Sequence, residues 1–373
     1  MKILYVHRAA GKSYGGALVD LFRVLERLDR RAFEPIVLLS QGDFHAEMFH
    51  QIGIRTIYLP LPPFRKGKSF PKIPFAVYRL TRLLRREGIG LVHLNDTDDA
   101  ALMILACRWV GIPSVVHVRS EMETNKFKKL WVDRADRVIA VSDGVRQAAV
   151  AGGVVESHIE ISYSGVDLGK IEKEARLFSA RERLGIPPDA FVIGSVANLA
   201  PVKGYRYLVE AFSMVARDSF LFCLIVGADD HGMQKDLAAQ AAAAGVTDKI
   251  RFVGFQENVY PFIAAMDIFI LASLHEGFGI VLLEAMGLGK PVIATNVQGP
   301  SEIVLPGETG LLVPPADAEA LAKAIRSMVQ NASLREAMGK AGRQRVGERF
   351  SLERQVREWE SVCIIQKRDR GNR

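Results

Sequence analysis

Short apolar runs alternate with longer stretches of helical period from one end of the chain to the other. In the first half the runs cover residues 3–6, 35–39, 55–59, 91–94, 114–118 and 137–141. Each is short, rich in branched side chains and bounded by polar or glycine positions, which predicts a strand. Between them, residues 17–29 and 75–87 repeat apolar positions three and four apart, the pattern of an amphipathic helix. Strands separated by helical segments need crossover connections, so the pattern predicts a parallel sheet with helices on both faces.

After a polar stretch around residues 169–190 the pattern starts again. New strands are expected at 191–196, 220–226, 250–253, 268–271, 292–294 and 311–313, with helices at 205–216 and 234–244 among those between them. The chain thus reads as two doubly wound α/β domains, residues 1–168 and 169–350. A charged amphipathic segment, 351–373, reads as a helix bridging back to the first domain. A length of 373 residues exceeds what one hydrophobic core serves, in keeping with two domains. Ligands of such sheets bind beyond the carboxyl ends of the strands, so a cleft between two facing domains is the expected site.

Composition excludes several classes. With 49% apolar and 24% charged residues the chain is neither disordered nor membrane-spanning in character. Its longest apolar candidate, 100–107, is stopped by Arg108, far short of a bilayer. The opening residues read as a first strand rather than a signal peptide. Cys107, Cys223 and Cys363 are scattered and odd in number, the mark of reduced structural thiols and a cytoplasmic chain. The net charge is +7, and residues 60–90 hold eight basic residues against Glu87 alone, an excess as large as the whole. Arg65, Lys66, Lys68, Lys72, Arg79, Arg82, Arg85 and Arg86 are interleaved there with Phe64, Phe70, Phe75 and Tyr78. That mixture suits an anionic membrane surface, and without a nucleic-acid module signature it gives no reason to expect nucleic acid.

Two tempting motifs fail. Gly11-Lys12-Ser13 lacks the upstream glycine of a phosphate loop, since Val6 stands there, and no GxGxxG follows the first strand. Asp96-Thr97-Asp98 resembles a metal-binding pair, yet it falls between a strand and a helix start, where capping by the acidic side chains is the better reading. No metal is expected.

The segment that carries chemistry is His275-Glu276-Gly277-Phe278-Gly279-Ile280-Val281-Leu282-Leu283-Glu284. It follows an expected strand, and its glycines let backbone approach a ligand closely. A helix beginning near Ile280 would aim free amides at a phosphate. Glu276 would stand before the helix within reach of sugar hydroxyls, and Glu284, over one turn in, within reach of a ribose diol.

With these residues in place, the chain resembles the retaining glycosyltransferase family 4 (GT-B fold, glycosyl transferases group 1) over essentially its full length. Ser273-Leu274-His275-Glu276-Gly277-Phe278-Gly279 and Glu284 carry the resemblance most strongly. Gly165-Val166-Asp167, Pro201-Val202-Lys203-Gly204, Gly254, Met266-Asp267, Gly310-Leu311-Leu312-Val313, Gly15-Gly16-Ala17 and Ile139-Ala140-Val141-Ser142 support it in the right order. The resemblance implies a metal-independent retaining transferase that needs no cofactor and takes a UDP- or GDP-type sugar as co-substrate. It implies that Lys203 holds the donor diphosphate, that Glu276 and the amides of Phe278, Gly279, Ile280 and Val281 bind sugar and phosphate, and that Glu284 binds ribose. Gly15 and Gly16 would let the first loop approach the diphosphate or the acceptor, and base selection would involve the loop around residues 253–256, with Val253 and Gly254 as donor-binding positions.

The chain departs from the family pattern twice. Asn198 stands where many members have arginine, which shifts phosphate neutralisation to Lys203 and to groups such as Arg119 or Lys12. A histidine common after the fifth strand is replaced by Arg119, with His117 two residues earlier. Positions i and i+2 of a strand share a face, so either could point into the expected cleft. The resemblance implies retention, and no carboxylate pair is arranged for double displacement; same-face attack, the leaving diphosphate helping to remove the acceptor proton, is the preferred hypothesis. The basic, aromatic 60–90 segment points to a glycan or lipid-linked acceptor at the inner face of the cytoplasmic membrane, as in surface polysaccharide or lipopolysaccharide synthesis, and a simply soluble acceptor would also fit. A nucleotide-sugar epimerase of the same architecture and a catalytically silent nucleotide-sugar binder are the competing readings.

Overall fold

Strands flanked on both faces by helices must be apolar at consecutive positions, and the runs that predicted them are mostly of that kind; the run at residues 55–59, which opens Arg-Thr, is the exception. The computed structural model describes residues 1–8, 15–41, 45–64, 71–120, 122–216 and 220–371, with side chains as far as 365. The chain divides into two compact units, one of Met1–Ser164 with Leu352–Arg373 and one of Gly165–Ser351.

The first unit contains strands β1 (Lys2–His7), β2 (Glu34–Leu39), β3 (Arg55–Tyr58), β4 (Leu91–Leu94), β5 (Ser114–Val118), β6 (Arg137–Ala140) and β7 (Ile159–Ile161). They form a parallel sheet in the order β3-β2-β1-β4-β5-β6-β7, with Ile3 aligned to Pro35 on one side and Leu91 on the other. The winding direction therefore reverses between β1 and β4. Its helices begin with α1 (Gly16–Arg27), α2 (Ala46–Gln51), α3 (Ile73–Glu87), α4 (Ala100–Val110), α5 (Thr124–Lys129) and α6 (Asp143–Ala151). Ile3, Tyr5, Val37, Leu39, Leu91, Val115 and Ile139 share a core with α1 and α2. The intervening Leu4, Val6, Leu38, Val92, Leu94 and Val116 are equally buried. Right-handed crossovers assign α3 and α4, which pack together, to that opposite face.

Two local features differ from the sequence reading. Strand β7 is only three residues long with an exposed Glu160 in the middle, too short to stand out as an apolar run. The Asp96-Thr97-Asp98 segment does not cap α4: the residue before the helix is Asp99, with no capping hydrogen bond from its side chain. Asp96 instead accepts from the backbone N–H of Arg8 at 2.8 Å and from that of Asp98 at 3.2 Å, tying the loop after β4 to the end of β1.

The second unit contains β8 (Phe191–Val196), β9 (Leu221–Val226), β10 (Ile250–Gly254), β11 (Ile268–Leu271), β12 (Val292–Thr295) and β13 (Gly310–Val313). All are parallel, in the order β10-β9-β8-β11-β12-β13, so winding reverses between β8 and β11. Its helices are α7 (Leu168–Ala175), α8 (Ala180–Arg183), α9 (Tyr205–Ala216), α10 (Gln234–Ala243), α11 (Tyr260–Ala264), α12 (Ile280–Gly287), α13 (Gln298–Ile303), α14 (Ala318–Gln330) and α15 (Ala332–Arg349).

The last helix, α16 (Leu352–Gly371), belongs to the first unit. Leu352, Val356, Trp359, Val362 and Cys363 lie on one face of it and join the core under α1. Gln355 donates to both oxygens of the buried Asp20, at 3.0 Å each. Among the described residues no helix is long and apolar enough to cross a membrane.

Candidate active site

Where winding reverses in a parallel sheet, the loops beyond the two adjacent strands diverge and leave a crevice. In the second unit those loops follow β8 and β11. The loop after β8 ends in a single 3-10 turn, Pro201–Lys203. It can approach β11 only because the next residue is glycine: a Cβ on Gly204 would lie 1.9 Å from the Ala272 carbonyl oxygen. The Leu274 N–H donates to the Val202 carbonyl at 2.7 Å, stitching the two loops together. Lys203 Nζ is thereby brought to 2.6 Å from Glu276 Oε2. Ser273 Oγ donates to the same oxygen at 3.4 Å, and Thr295 Oγ1 fixes Ser273 through its carbonyl at 2.5 Å.

Helix α12 begins directly beyond. Gly279 caps it at φ +95°, a conformation that costs any side chain, with no capping side chain and no acid in the first turn. The leading amides, including those of Ile280 and Val281, have no partner within the helix, and the helix dipole adds positive potential to them. Gly277 and Phe278 lie between Glu276 and this cap. The Glu276 carbonyl accepts from the Gly299 N–H at 3.1 Å, and Phe278 is buried edge-on to Phe350. Glu284, in the second turn, is only 5% exposed and accepts from the Tyr260 hydroxyl at 3.5 Å. Half-buried Asn198 follows β8. Val253 sits at a register shift in β10, and the Gly254 carbonyl accepts from the Gly227 N–H at 3.0 Å. The strand-end residues Asn198, Lys203, Val253, Gly254, Glu276, Gly277, Phe278 and Gly279 thus stand at the carboxyl edge of one sheet, with Ile280, Val281 and Glu284 on the helix that starts there.

The remaining candidates lie in the first unit. Gly15 and Gly16 open α1, exposed and, among the described residues, with nothing within 4 Å of an added Cβ. His117 is fully buried, with His93 and Trp359 rings 6.0 and 5.2 Å away and, among the described residues, no hydrogen-bond partner on either nitrogen. Burial, reinforced by Arg119 and His93, holds its pKa well below the usual value, so it stays neutral in the core. Arg119 donates to the Asn95 carbonyl at 2.9 Å, to Asn95 Oδ1 at 2.5 Å and to Asp20 Oδ2 at 2.6 Å. The choice between the two strand positions therefore has a physical answer within the unit: His117 is interior, and Arg119 at the strand end is held in a polar network. Lys12 lies outside the described residues.

Two family models match the chain in tandem: Glycosyltransferase Family 4 over residues 14–170 and Glycosyl transferases group 1 over residues 178–345. The D-inositol 3-phosphate glycosyltransferase of a Nocardioides species is 30% identical over 92% of this chain and 80% of its own. The chain belongs to the group 1 glycosyltransferases. A lipopolysaccharide core biosynthesis glycosyltransferase of Rhizobium meliloti, LpsE, is 36% identical, but over 46% of this chain and 49% of its own. The match thus spans about half the length of that relative. Anabaena HepE, solved with UDP and glucose, superposes with a TM-score of 0.83 at 23% identity, covering 97% of this chain and 99% of that one. At that identity the likeness shows the GT-B fold alone.

For a glycosyltransferase, the second unit's edge offers three kinds of group at once: a cation, an open helix N-terminus and two carboxylates at different depths. Lys203 and the α12 amides can take a diphosphate, while Glu276 and Glu284 can accept from hydroxyls on either side of it. Among the described residues no group of three or more His, Cys, Asp or Glu is placed to hold a metal ion. Sequence reasoning gave no role to Ser273, Thr295 or Tyr260. Ser273 lies inside the motif, but Thr295 and Tyr260 reach the site from a neighbouring strand and from α11, contacts that no local spacing encodes.

Proposed function

We propose that this glycosyltransferase moves a hexose-type sugar from a UDP- or GDP-type nucleotide sugar to a glycan or lipid-linked acceptor, in surface polysaccharide or lipopolysaccharide synthesis. The observation that carries the reading is Lys203 and Glu276 meeting beside the uncapped head of α12, with Glu284 buried one turn further in. Support for the donor comes from HepE, solved with UDP and glucose. Support for the process comes from LpsE, named for lipopolysaccharide core biosynthesis. The 60–90 segment gives the enzyme a peripheral place on an anionic membrane, at the inner face of the cytoplasmic membrane. Within it α3 is described, whereas Arg65, Lys66, Lys68 and Phe70 lie outside the described residues.

In the reaction, the bond between the anomeric carbon and the diphosphate oxygen breaks, and negative charge grows on the leaving group. Lys203 and the α12 amides stabilise it there, so the charge is met without a metal. The acceptor oxygen bonds to the same face of the anomeric carbon and gives its proton to the departing diphosphate, which retains configuration. Glu276 orients the sugar and Glu284 the ribose. The test is the anomeric proton coupling in product formed from an α-linked nucleotide sugar with chelator present. An α product formed undiminished supports the proposal. A β product, or activity abolished by chelation, contradicts it. Turnover of donor to an epimer without acceptor would favour the epimerase reading.

A further inference from the structure

A groove of about 1000 Å³ runs between α3 and α4 on the first unit, far along the chain from the donor residues. One wall is a stripe of α3 repeating every four residues, from Ile73 through Val77 and Thr81 to Arg85, with Tyr78, Arg82 and Arg86 beside it. Leu105 and Trp109, one turn apart on α4, form the other wall. The volume stands at the upper end for small-molecule sites. From Ile73 to Arg86 the helix rises roughly 20 Å.

The α3 wall is graded in polarity along that length, apolar and aromatic from Ile73 to Tyr78, then cationic from Arg82 to Arg86. On the facing wall the Trp109 carbonyl accepts from Arg85 at 3.4 Å, which places Trp109 beside the cationic end. Tyr78 is 61% and Trp109 72% exposed, amphipathic rings of the kind that sit at a membrane boundary. Phe75, which carries Arg79 over its ring at 5.8 Å, is exposed on the same helix. The last turn of a helix favours cations, and this accounts for Arg85 and Arg86. It does not account for Arg82 a turn earlier, which has no ion-pair partner among the described residues, nor for three exposed aromatic rings.

We propose that this groove binds one molecule of an anionic glycerophospholipid, its acyl chains along the apolar end and its phosphate against Arg82, Arg85 and Arg86. A phospholipid has the same head-to-tail grading as the α3 wall, whereas a helical protein partner would match an apolar stripe along the whole length. The site rests on the membrane-surface reading above and makes it specific: the protein holds an individual lipid in addition to any diffuse attraction.

The experiment uses the full chain and dihexanoyl phosphatidylglycerol kept below its micelle concentration, followed by calorimetry and tryptophan fluorescence. Saturable binding of one lipid per chain, with a blue shift, is expected. Trp109→Ala and Arg82→Glu, both at the protein surface, should each weaken it at least tenfold while nucleotide binding stays unchanged. Dihexanoyl phosphatidylcholine should bind at least tenfold more weakly. Parallel flotation with vesicles containing phosphatidylglycerol separates the two claims. Flotation without saturable monomer binding overturns the groove site and leaves the surface reading standing, and failure of both overturns both. Equal binding of the zwitterionic lipid, or tenfold tighter binding of a short isoprenyl phosphate, overturns the proposed occupant.

Discussion

At Lys203 and Glu276 two charges already satisfy one another at 2.6 Å, each side chain mostly shielded from solvent. A diphosphate arriving at α12 therefore competes with Glu276 for the lysine. Glu276→Gln removes that competition, so nucleoside diphosphate affinity should stay level or rise while kcat falls, a split that steady-state kinetics and calorimetry together resolve. Lys203→Ala should lower kcat by about 10² to 10³, the usual loss for one donor aimed at developing charge. A loss smaller than tenfold would place the charge stabilisation elsewhere. Glu276, Glu284 and the glycines were legible as residues because they fall in one run with fixed spacing. Tyr260 and Thr295 were not, because their place at the site is set by sheet order. His117 and Arg119 could not be separated by alternation alone: both fit one face of β5, and only the packing of Trp359, more than two hundred residues away, shows His117 to be interior.

Among the elements, α12 and α16 carry the clearest consequences. Gly279 begins α12 at φ +95°, and an added Cβ would also press on Leu271, Glu276 and Leu282 at 3.3–3.4 Å. Gly279→Ala should cost on the order of 1–2 kcal/mol and reduce nucleotide binding by misdirecting the first-turn amides, visible as a lower Tm and a raised Kd. Helix α16 closes the first unit's core through Trp359, packed against Tyr5, His93 and His117. Burial holds His93 neutral with its pKa lowered to about 3 and lowers His117 as well. Unfolded histidines take protons below about 6.5 and these folded ones do not, so stability is lost as pH falls below that value. Each contributes up to about 1.4 kcal/mol per pH unit. Asp99, raised to about 6 by burial, works in the opposite direction between its ordinary carboxylate range and pH 6, and offsets part of the loss. Urea denaturation of the full chain at pH 7.5 and pH 5 should show the acid loss, and His117→Phe should flatten it. An unchanged midpoint would refute the burial account. The predicted central strands formed because consecutive apolar positions are demanded by a sheet covered on both faces, whereas the edge strands β3 and β10 are only partly buried. The short β7 escaped because three residues around an exposed glutamate carry no such signature.

For the whole molecule, the net charge of +7 and its concentration in residues 60–90 were plain in the sequence, but the groove was not. Trp109 comes from α4, and its pairing with α3 follows from the β3-β2-β1-β4 order rather than from any local pattern. Surface attraction of this kind is screened by salt, so flotation with anionic vesicles should fall steeply between low and high ionic strength while nucleotide binding changes little. Vesicle binding insensitive to salt would argue against the basic segment. The central claim is that the second unit's edge is a nucleotide-sugar site. Its most direct test is metal-free calorimetric titration of UDP, GDP and their common sugar conjugates into the wild-type chain and Glu284→Ala. Saturable binding of one nucleotide family, weakened at least tenfold by the substitution, is the predicted result. Binding that Glu284→Ala leaves unaltered, or no binding by any of these nucleotides, would contradict it.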